Sequence, residues 1–258
     1  MKALKTILAA TALLASASAF ATPVLVGTET SLQQVINNLY GCAATGTSPA
    51  CSPVSAAPNV NTNQAAESGM FQIEASGGSI ATMIIEVAGY APDNSFGIYD
   101  PYNTATMLQL FGGSATGGSQ RNLSVTDAFL FTQYGSSGAS SSSAQFTSST
   151  FGYYIAGPGG LFFSQASLNG GDDHLVAFQG DGDTIKLPTR PAGIWGASSY
   201  ILGWEDVAFN NGSDKDYQDM VVYVESVTPT NAVPEPGSLA LLGLGLTSLA
   251  FARRRKSK

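Results

Sequence analysis

The chain has 258 residues, with 11 Lys and Arg against 18 Asp and Glu, a formal net charge of −7. A surface of that sign repels phosphate backbones and excludes a nucleic-acid partner. One histidine and two cysteines do not supply the His- and Cys-rich ligand set that zinc takes.

The N-terminus reads as a secretion signal over residues 1–21. Lys2 and Lys5 form a positive n-region, Ile7 to Ala19 an apolar one, and Ala19-Phe20-Ala21 an A-x-A site. Cleavage between Ala21 and Thr22 is expected. Seven of the cations lie in the two end segments. The other four are Arg121, Lys186, Arg190 and Lys215, and all 18 acids lie from Glu29 to Glu235, so the mature domain, Thr22 to about Pro236, carries −14. Such a surface suits divalent cations, and meets a polyanionic matrix only through bridging cations.

The next expected unit is a helix and a loop, residues 22–67. Leu32, Val35, Ile36, Leu39 and Tyr40 recur at helical spacing. A helix over Ser31 to Tyr40 is predicted, capped by Thr30 or Ser31 and ended by Gly41. Ala43 to Gln64 reads as an irregular connection. Cys42 and Cys51 flank part of it, without a histidine or C-x-x-C spacing. A secreted chain meets an oxidising compartment. A disulfide between them is expected, contributing roughly 2–3 kcal/mol in the chain-entropy model.

Residues 68–230 read as strands. The runs are Met70 to Ala75, Ile80 to Ala88, Phe96 to Tyr99, Thr106 to Phe111, Asn122 to Phe131 and Phe151 to Ile155. Leu161 to Ser164, His174 to Gln179, Tyr200 to Trp204 and Met220 to Val227 follow. Short runs separated by Gly, Ser, Asn and Asp predict a mainly β chain. The expected fold is one antiparallel sandwich or jelly-roll-like domain with one short N-terminal helix. Gly135 to Ser143 is serine-rich and reads as a hairpin tip. Gly180-Asp181-Gly182-Asp183 reads as a hairpin turn.

The chemically distinctive stretch is Glu205 to Asp219. Glu205, Asp206, Asp214, Asp216 and Asp219 surround an Asn-Asn-Gly-Ser turn. If the two acidic halves face each other, their repulsion needs an offset, and Ca²⁺ with 6–8 oxygen ligands is the natural counter-ion. The other reading is a solvated turn whose Asp side chains cap turn N–H groups. An EF-hand does not fit, because Asp219 stands where its glycine belongs. Met220 to Val224 also reads as strand, carrying Glu225 about 20 Å away at ~3.3 Å per residue.

This stretch resembles the end of the DUF4114 family of secreted and surface bacterial proteins. The landmarks are Trp204-Glu205-Asp206, Asn211-Gly212-Ser213, the run Asp214 to Asp219 and the last strand, Met220 to Val224. Phe96 to Asp100, Asp173-His174 and Ala177-Phe178 also look alike, so the resemblance spans about Ser68 to Val227. It implies a surface β-domain with a bound metal, and no catalytic activity. Gln218 departs from the usual Asn or Asp.

The single histidine, His174, reads as structural, and no G-x-S-x-G elbow accompanies it. No catalytic residue is assigned, and the chain is read as non-enzymatic. Trp195, Trp204, Tyr153, Tyr154 and Tyr200 would be the sugar-stacking set of a carbohydrate-binding module, the main alternative. A hydrolase using paired carboxylates is a more distant one.

The last segment, residues 233–258, has three parts. Pro234-Glu235-Pro236 breaks structure, residues 238–252 carry no charge, and Arg253 to Lys256 form a basic stop. Fifteen helical residues reach about 22 Å, short of a hydrocarbon core of about 30 Å. This tail resembles the PEP-CTERM sorting signal of Gram-negative bacteria. The resemblance implies transient inner-membrane insertion, exosortase processing near the motif, and release to the cell surface or an exopolysaccharide matrix. The expected role there is structural or adhesive, with exopolysaccharide as a possible partner.

Overall fold

The computed structural model describes residues 30–40, 57–65, 68–74, 79–86, 92–135 and 140–230. The expected signal cleavage at Ala21 and Thr22, the Cys42–Cys51 disulfide and the Pro234-Glu235-Pro236 motif with its apolar segment lie outside the described residues.

Among the described residues the α-helix is α1 (Leu32–Leu39), which starts where Ser31 can cap it. The Ser31 hydroxyl accepts from Gln34 N at 3.2 Å, and Gln34 Oε1 accepts from Ser31 N at 2.9 Å. This reciprocal pair satisfies two donors that a helix start leaves open. Leu32, Val35, Ile36 and Leu39 fall on one buried face. Beside this face Gln33 ties down the connection that follows, donating to Pro58 O at 3.0 Å and accepting from Val60 N at 3.0 Å.

The strands in chain order are β1 (Met70–Ile73), β2 (Ser79–Glu86), β3 (Ser95–Asp100), β4 (Asn103–Phe111), β5 (Gln120–Val125), β6 (Leu130–Gly135), β7 (Ser140–Gln145) and β8 (Phe151–Gly157). Then come β9 (Gly160–Phe163), β10 (Leu175–Gln179), β11 (Thr184–Ile185), β12 (Gly193–Ile194), β13 (Ser199–Trp204), β14 (Met220–Glu225) and β15 (Val227–Pro229). One sheet has the order β15-β1-β8-β3-β4, with β9 also on β8. The second runs β10-β13-β14-β2-β5-β6-β7, and β11 and β12 form a separate hairpin. Every strand pair is antiparallel.

The two large sheets pack face to face, which makes the mainly β antiparallel sandwich expected from the sequence. Phe71, Phe96, Ile98, Phe151 and Tyr153 from the first sheet share one core with Leu123, Phe131, Leu202, Trp204 and Val222 from the second. Strand alternation explains the rest. In β10, β13 and β14 one set of side chains (Leu175, Leu202, Trp204, Val222) enters this core. The intervening set (Val176, Phe178, Ile201, Val221) packs with α1 in a second core. Those three strands are therefore apolar at nearly every position, because both of their faces are covered.

Four expectations are corrected. The run Asn122 to Phe131 is two strands, β5 and β6, joined by a turn in which Phe129 N donates to Thr126 O at 2.8 Å. Phe129 takes φ 62 there, and the Thr126 hydroxyl accepts from Leu130 N at 3.2 Å. The run Met220 to Val227 also divides. Ser226 at φ 58 turns the chain from β14 in one sheet to β15 in the other. The serine tract supplies an edge strand, β7, held to β6 by side chains as well as backbone. Thr132 and Ser143 hydroxyls lie 2.9 Å apart, and Gln133 Nε2 donates to Ser142 Oγ at 3.1 Å. Finally, residues 180–183 do not close a hairpin between neighbours, because β10 pairs with β13. They lead into β11, with Trp195 N donating to Asp183 O at 2.7 Å.

Candidate cation site at the β13–β14 turn

The registers of β13 and β14 bring Trp204 opposite Met220. The residues just after one strand and just before the next must therefore meet. Glu205 and Asp206 leave β13, while Asp214, Asp216 and Asp219 approach β14. Carboxylate oxygens of Glu205, Asp214 and Asp216 all lie within 4.8 Å of one another. Oxygens 2.3–2.6 Å from a shared Ca²⁺ can be up to about 5 Å apart, so this spacing fits one ion. Glu205 and Asp216 are buried and Asp214 is exposed, giving a pocket with one open side.

Backbone conformation makes the convergence possible. Lys215 (φ 61) and Tyr217 (φ 56) alternate with the aspartates in the left-handed region, a placement that costs non-glycine residues about 1–3 kcal/mol each. Both side chains turn to other partners. The Lys215 ammonium lies over the Phe209 ring, 4.5 Å from its centroid. The Tyr217 hydroxyl donates to Asp173 O at 2.7 Å. Gln218 braces Asp216, with its backbone N 3.2 Å from Oδ1 and its Nε2 2.7 Å from Oδ2.

The site is electrostatically crowded. Burial pushes the Glu205 carboxyl up to about 7; the Ser213 hydroxyl opposes this, and the charges of Asp214, Asp216 and Asp206 add to it. One Glu205 oxygen, Oε2, is buried and has no hydrogen-bond partner. Asp219 is pushed up to about 9, first by burial and then by Asp206 and Glu205. Its Oδ2 accepts from Asp206 N at 2.9 Å. The five acids thus form two groups: three share a centre, and Asp206 and Asp219 stand together beside it.

Below the site lies His174, buried and stacked between two rings. Phe162 is 3.8 Å away at 9°, and Phe209 is 4.5 Å away at 25°. Its Nδ1 is 3.0 Å from Glu205 O, so this nitrogen carries the proton and donates. Burial lowers the imidazole pKa, which keeps the ring neutral. In return Glu205 N donates to His174 O at 3.1 Å. The histidine therefore positions the Glu205 backbone from within the core.

Residues 127–227 match a family model described as a domain of unknown function, DUF4114, and residues 232–256 match the PEP-CTERM protein-sorting motif. The chain carries a DUF4114 domain and a PEP-CTERM sorting motif. No curated protein and no solved structure matches it. The sorting motif marks a secreted protein targeted for exosortase processing. Among the described residues no helix is long and apolar enough to cross a membrane.

The DUF4114 match contains all five acids and most of the second sheet, while β1 to β5, which complete both sheets, precede it. One polar residue at the site also precedes it. Asn94 Nδ2 donates to Asp206 Oδ2 at 2.7 Å, across 112 positions of sequence. Nothing local marks Asn94 as a site residue; only the pairing of sheets brings it there. The aromatics named above as a sugar platform are all buried. Trp204, Tyr153 and Tyr200 enter the core between the sheets and Trp195 packs with α1, while Tyr154, on the other face of β8, lies against Gly97. They offer no ring face to a sugar.

Proposed function

We propose that this is a non-enzymatic structural or adhesive module of the bacterial surface matrix, with a turn locked by Ca²⁺. The ion is held by Glu205, Asp214 and Asp216, with Asp206 and Asp219 adding to the field. The observation that carries the reading is the buried, unpartnered Glu205 Oε2 at a point where two further carboxylates converge. Bare, this arrangement stacks like charges in a poorly solvated place. A hard divalent cation with oxygen ligands removes the repulsion and fixes β13 against β14. The −14 surface meets anionic exopolysaccharide through further bridging cations. In a Gram-negative host the tail enters the inner membrane only until exosortase acts.

The test is thermal unfolding of the processed protein purified from its host, in EDTA, Mg²⁺ and Ca²⁺ at equal ionic strength. At 100 times Kd, Ca²⁺ should add ~2.7 kcal/mol, several degrees in Tm for a domain this size. Asp216→Ala should remove most of that gain and change the EDTA midpoint little, since it also relieves repulsion. A Ca²⁺ rise no larger than that with Mg²⁺ would discard the site.

Processing has its own readout. The intact mass of surface-released protein should correspond to a chain that begins at Thr22 and lacks residues 239–258. A surface product that keeps Arg253 to Arg255 would show that the tail acts as an ordinary anchor.

A further inference from the structure

The outer face of the second sheet holds a cavity of about 200 Å³, walled by the β11–β12 hairpin and its loop. Strand alternation sets its floor. Val222 and Val224 of β14 enter the core between the sheets, so Tyr223 and Glu225 take the other face. Glu225 pairs with Ile80 of β2, and Gln120 of β5 pairs with Thr82 two places along. Ile80 and Gln120 therefore share that face, and all four residues line the cavity. Ile185 and Leu187 of the hairpin add apolar wall.

Three polar groups converge here. Arg190 Nη2 donates to Gln120 Oε1, and Glu225 accepts from the Tyr223 hydroxyl. Each charged head thus has one brace, and a guanidinium or a carboxylate can take several partners. The loop that carries the arginine is held in place. Arg190 N donates to Leu187 O at 3.2 Å, and Pro188 and Pro191 fix φ on either side. A Cβ on Gly118 would lie 2.6 Å from Thr189 Oγ1, so the neighbouring turn presses against the loop. A preorganised arginine loses little entropy when it binds.

We propose that this cavity binds one neutral hexose ring of the matrix polysaccharide. It deepens the adhesive reading above and rests on that reading for the source of the sugar. The lining disfavours simpler ligands. An anion meets Glu225, a cation meets Arg190, and an apolar group strips water from both charges without replacing it. A sugar ring has hydroxyls that accept from the guanidinium and donate to the carboxylate. Its C–H face covers Ile80, Ile185 and Leu187. At the rim Ile194, 67 % exposed, gives a second apolar contact. The volume is below the roughly 300–1,000 Å³ of pockets that enclose drug-sized ligands, so it takes one ring while the rest of the polymer runs out over the surface.

The cavity is independent of the acidic turn. Met220 at one end of β14 borders that turn, and Glu225 at the other end lines the cavity. Polymer held here needs no bridging cation.

The experiment measures binding of the processed protein to exopolysaccharide purified from its host, by affinity electrophoresis in Ca²⁺ and in EDTA at high salt. EDTA removes bridging ions and salt screens surface charge. Binding should persist there and be competed by free glucose, galactose or mannose rather than by glucuronate. Arg190→Ala and Glu225→Gln should each weaken it about tenfold, the loss of one charge-assisted hydrogen bond, and leave the Ca²⁺-induced rise in Tm unchanged. Saturation-transfer NMR with the three free hexoses reads the pocket without the polymer, and its signal should vanish in Arg190→Ala. Binding abolished by EDTA, with no hexose signal, would overturn the pocket and leave cation bridging standing. Binding in EDTA that both substitutions spare, or that glucuronate competes best, would also overturn it. A hexose signal that needs Arg190, without polymer binding, would keep the pocket and discard the matrix reading.

Discussion

In EDTA, the protein should lose stability as the pH rises from about 5 to about 9, and Ca²⁺ should restore it most strongly at the alkaline end. Glu205 moves from 4.5 to about 7 and Asp219 from 3.8 to about 9. Both folded-state values are raised, so between the unfolded and folded pKa the native state holds a proton that the unfolded chain has released. Stability then falls with pH across that window. One unit on one group is worth about 1.4 kcal/mol, discounted for Asp219 because it is only half-buried. The combined effect is of the order of a few kcal/mol. Asp173, pushed up to about 6 by burial, which the hydrogen bond from the Leu175 N–H opposes, adds a slope of the same sign between 3.8 and about 6, with or without Ca²⁺.

Calcium binds the ionised carboxylates, so its binding releases protons at low pH and strengthens as pH rises. The Ca²⁺-induced rise in Tm should therefore be small at pH 5 and large at pH 8. Glu205→Gln should raise the EDTA midpoint at pH 8, because an amide needs no proton there, and should remove most of the Ca²⁺ response. Melting curves at four pH values with and without Ca²⁺ measure all of this. An equal Ca²⁺ effect at pH 5 and pH 8 would show that these carboxyls do not hold the ion.

What the sequence reveals here follows from the range of the interactions involved. The helix was legible because Leu32, Val35, Ile36 and Leu39 repeat at helical spacing and Ser31 and Gln34 are three residues apart. The acids of the turn were legible because they lie within 15 residues on either side of a hairpin. Their division into a triad and a pair was not, because it depends on Lys215 and Tyr217 taking φ near 60°. Nor was Asn94, whose contact with Asp206 depends on packing between the sheets. The strand runs at 122–131 and 220–227 misled for one reason: an apolar pattern continues through a turn when both flanking strands face the same core. Phe129 and Ser226 have no glycine to announce the bend.

Trp204 offers the sharpest test of how the core supports the site, and its two replacements should behave very differently. Trp204→Ala should cost about 3–5 kcal/mol, the usual range for a fully buried large aromatic, or roughly 10 °C in Tm for a domain this size. The side chain is 0 % exposed, meets Phe96 of the other sheet edge-on at 5.9 Å, and sits where β13 pairs with Met220 of β14. A cavity there loosens both ends of the acidic turn, so the Ca²⁺-induced rise should shrink as well. Trp204→Phe should cost less than about 1.5 kcal/mol and keep the Ca²⁺ response. The indole Nε1 is buried without a hydrogen-bond partner, and removing an unsatisfied donor returns about 1–3 kcal/mol. That return offsets much of the lost volume. Urea unfolding of both variants, with and without Ca²⁺, separates the contributions. If Trp204→Phe is as damaging as Trp204→Ala, the indole N–H is satisfied in solution, and the unpaired donor is not what distinguishes this position.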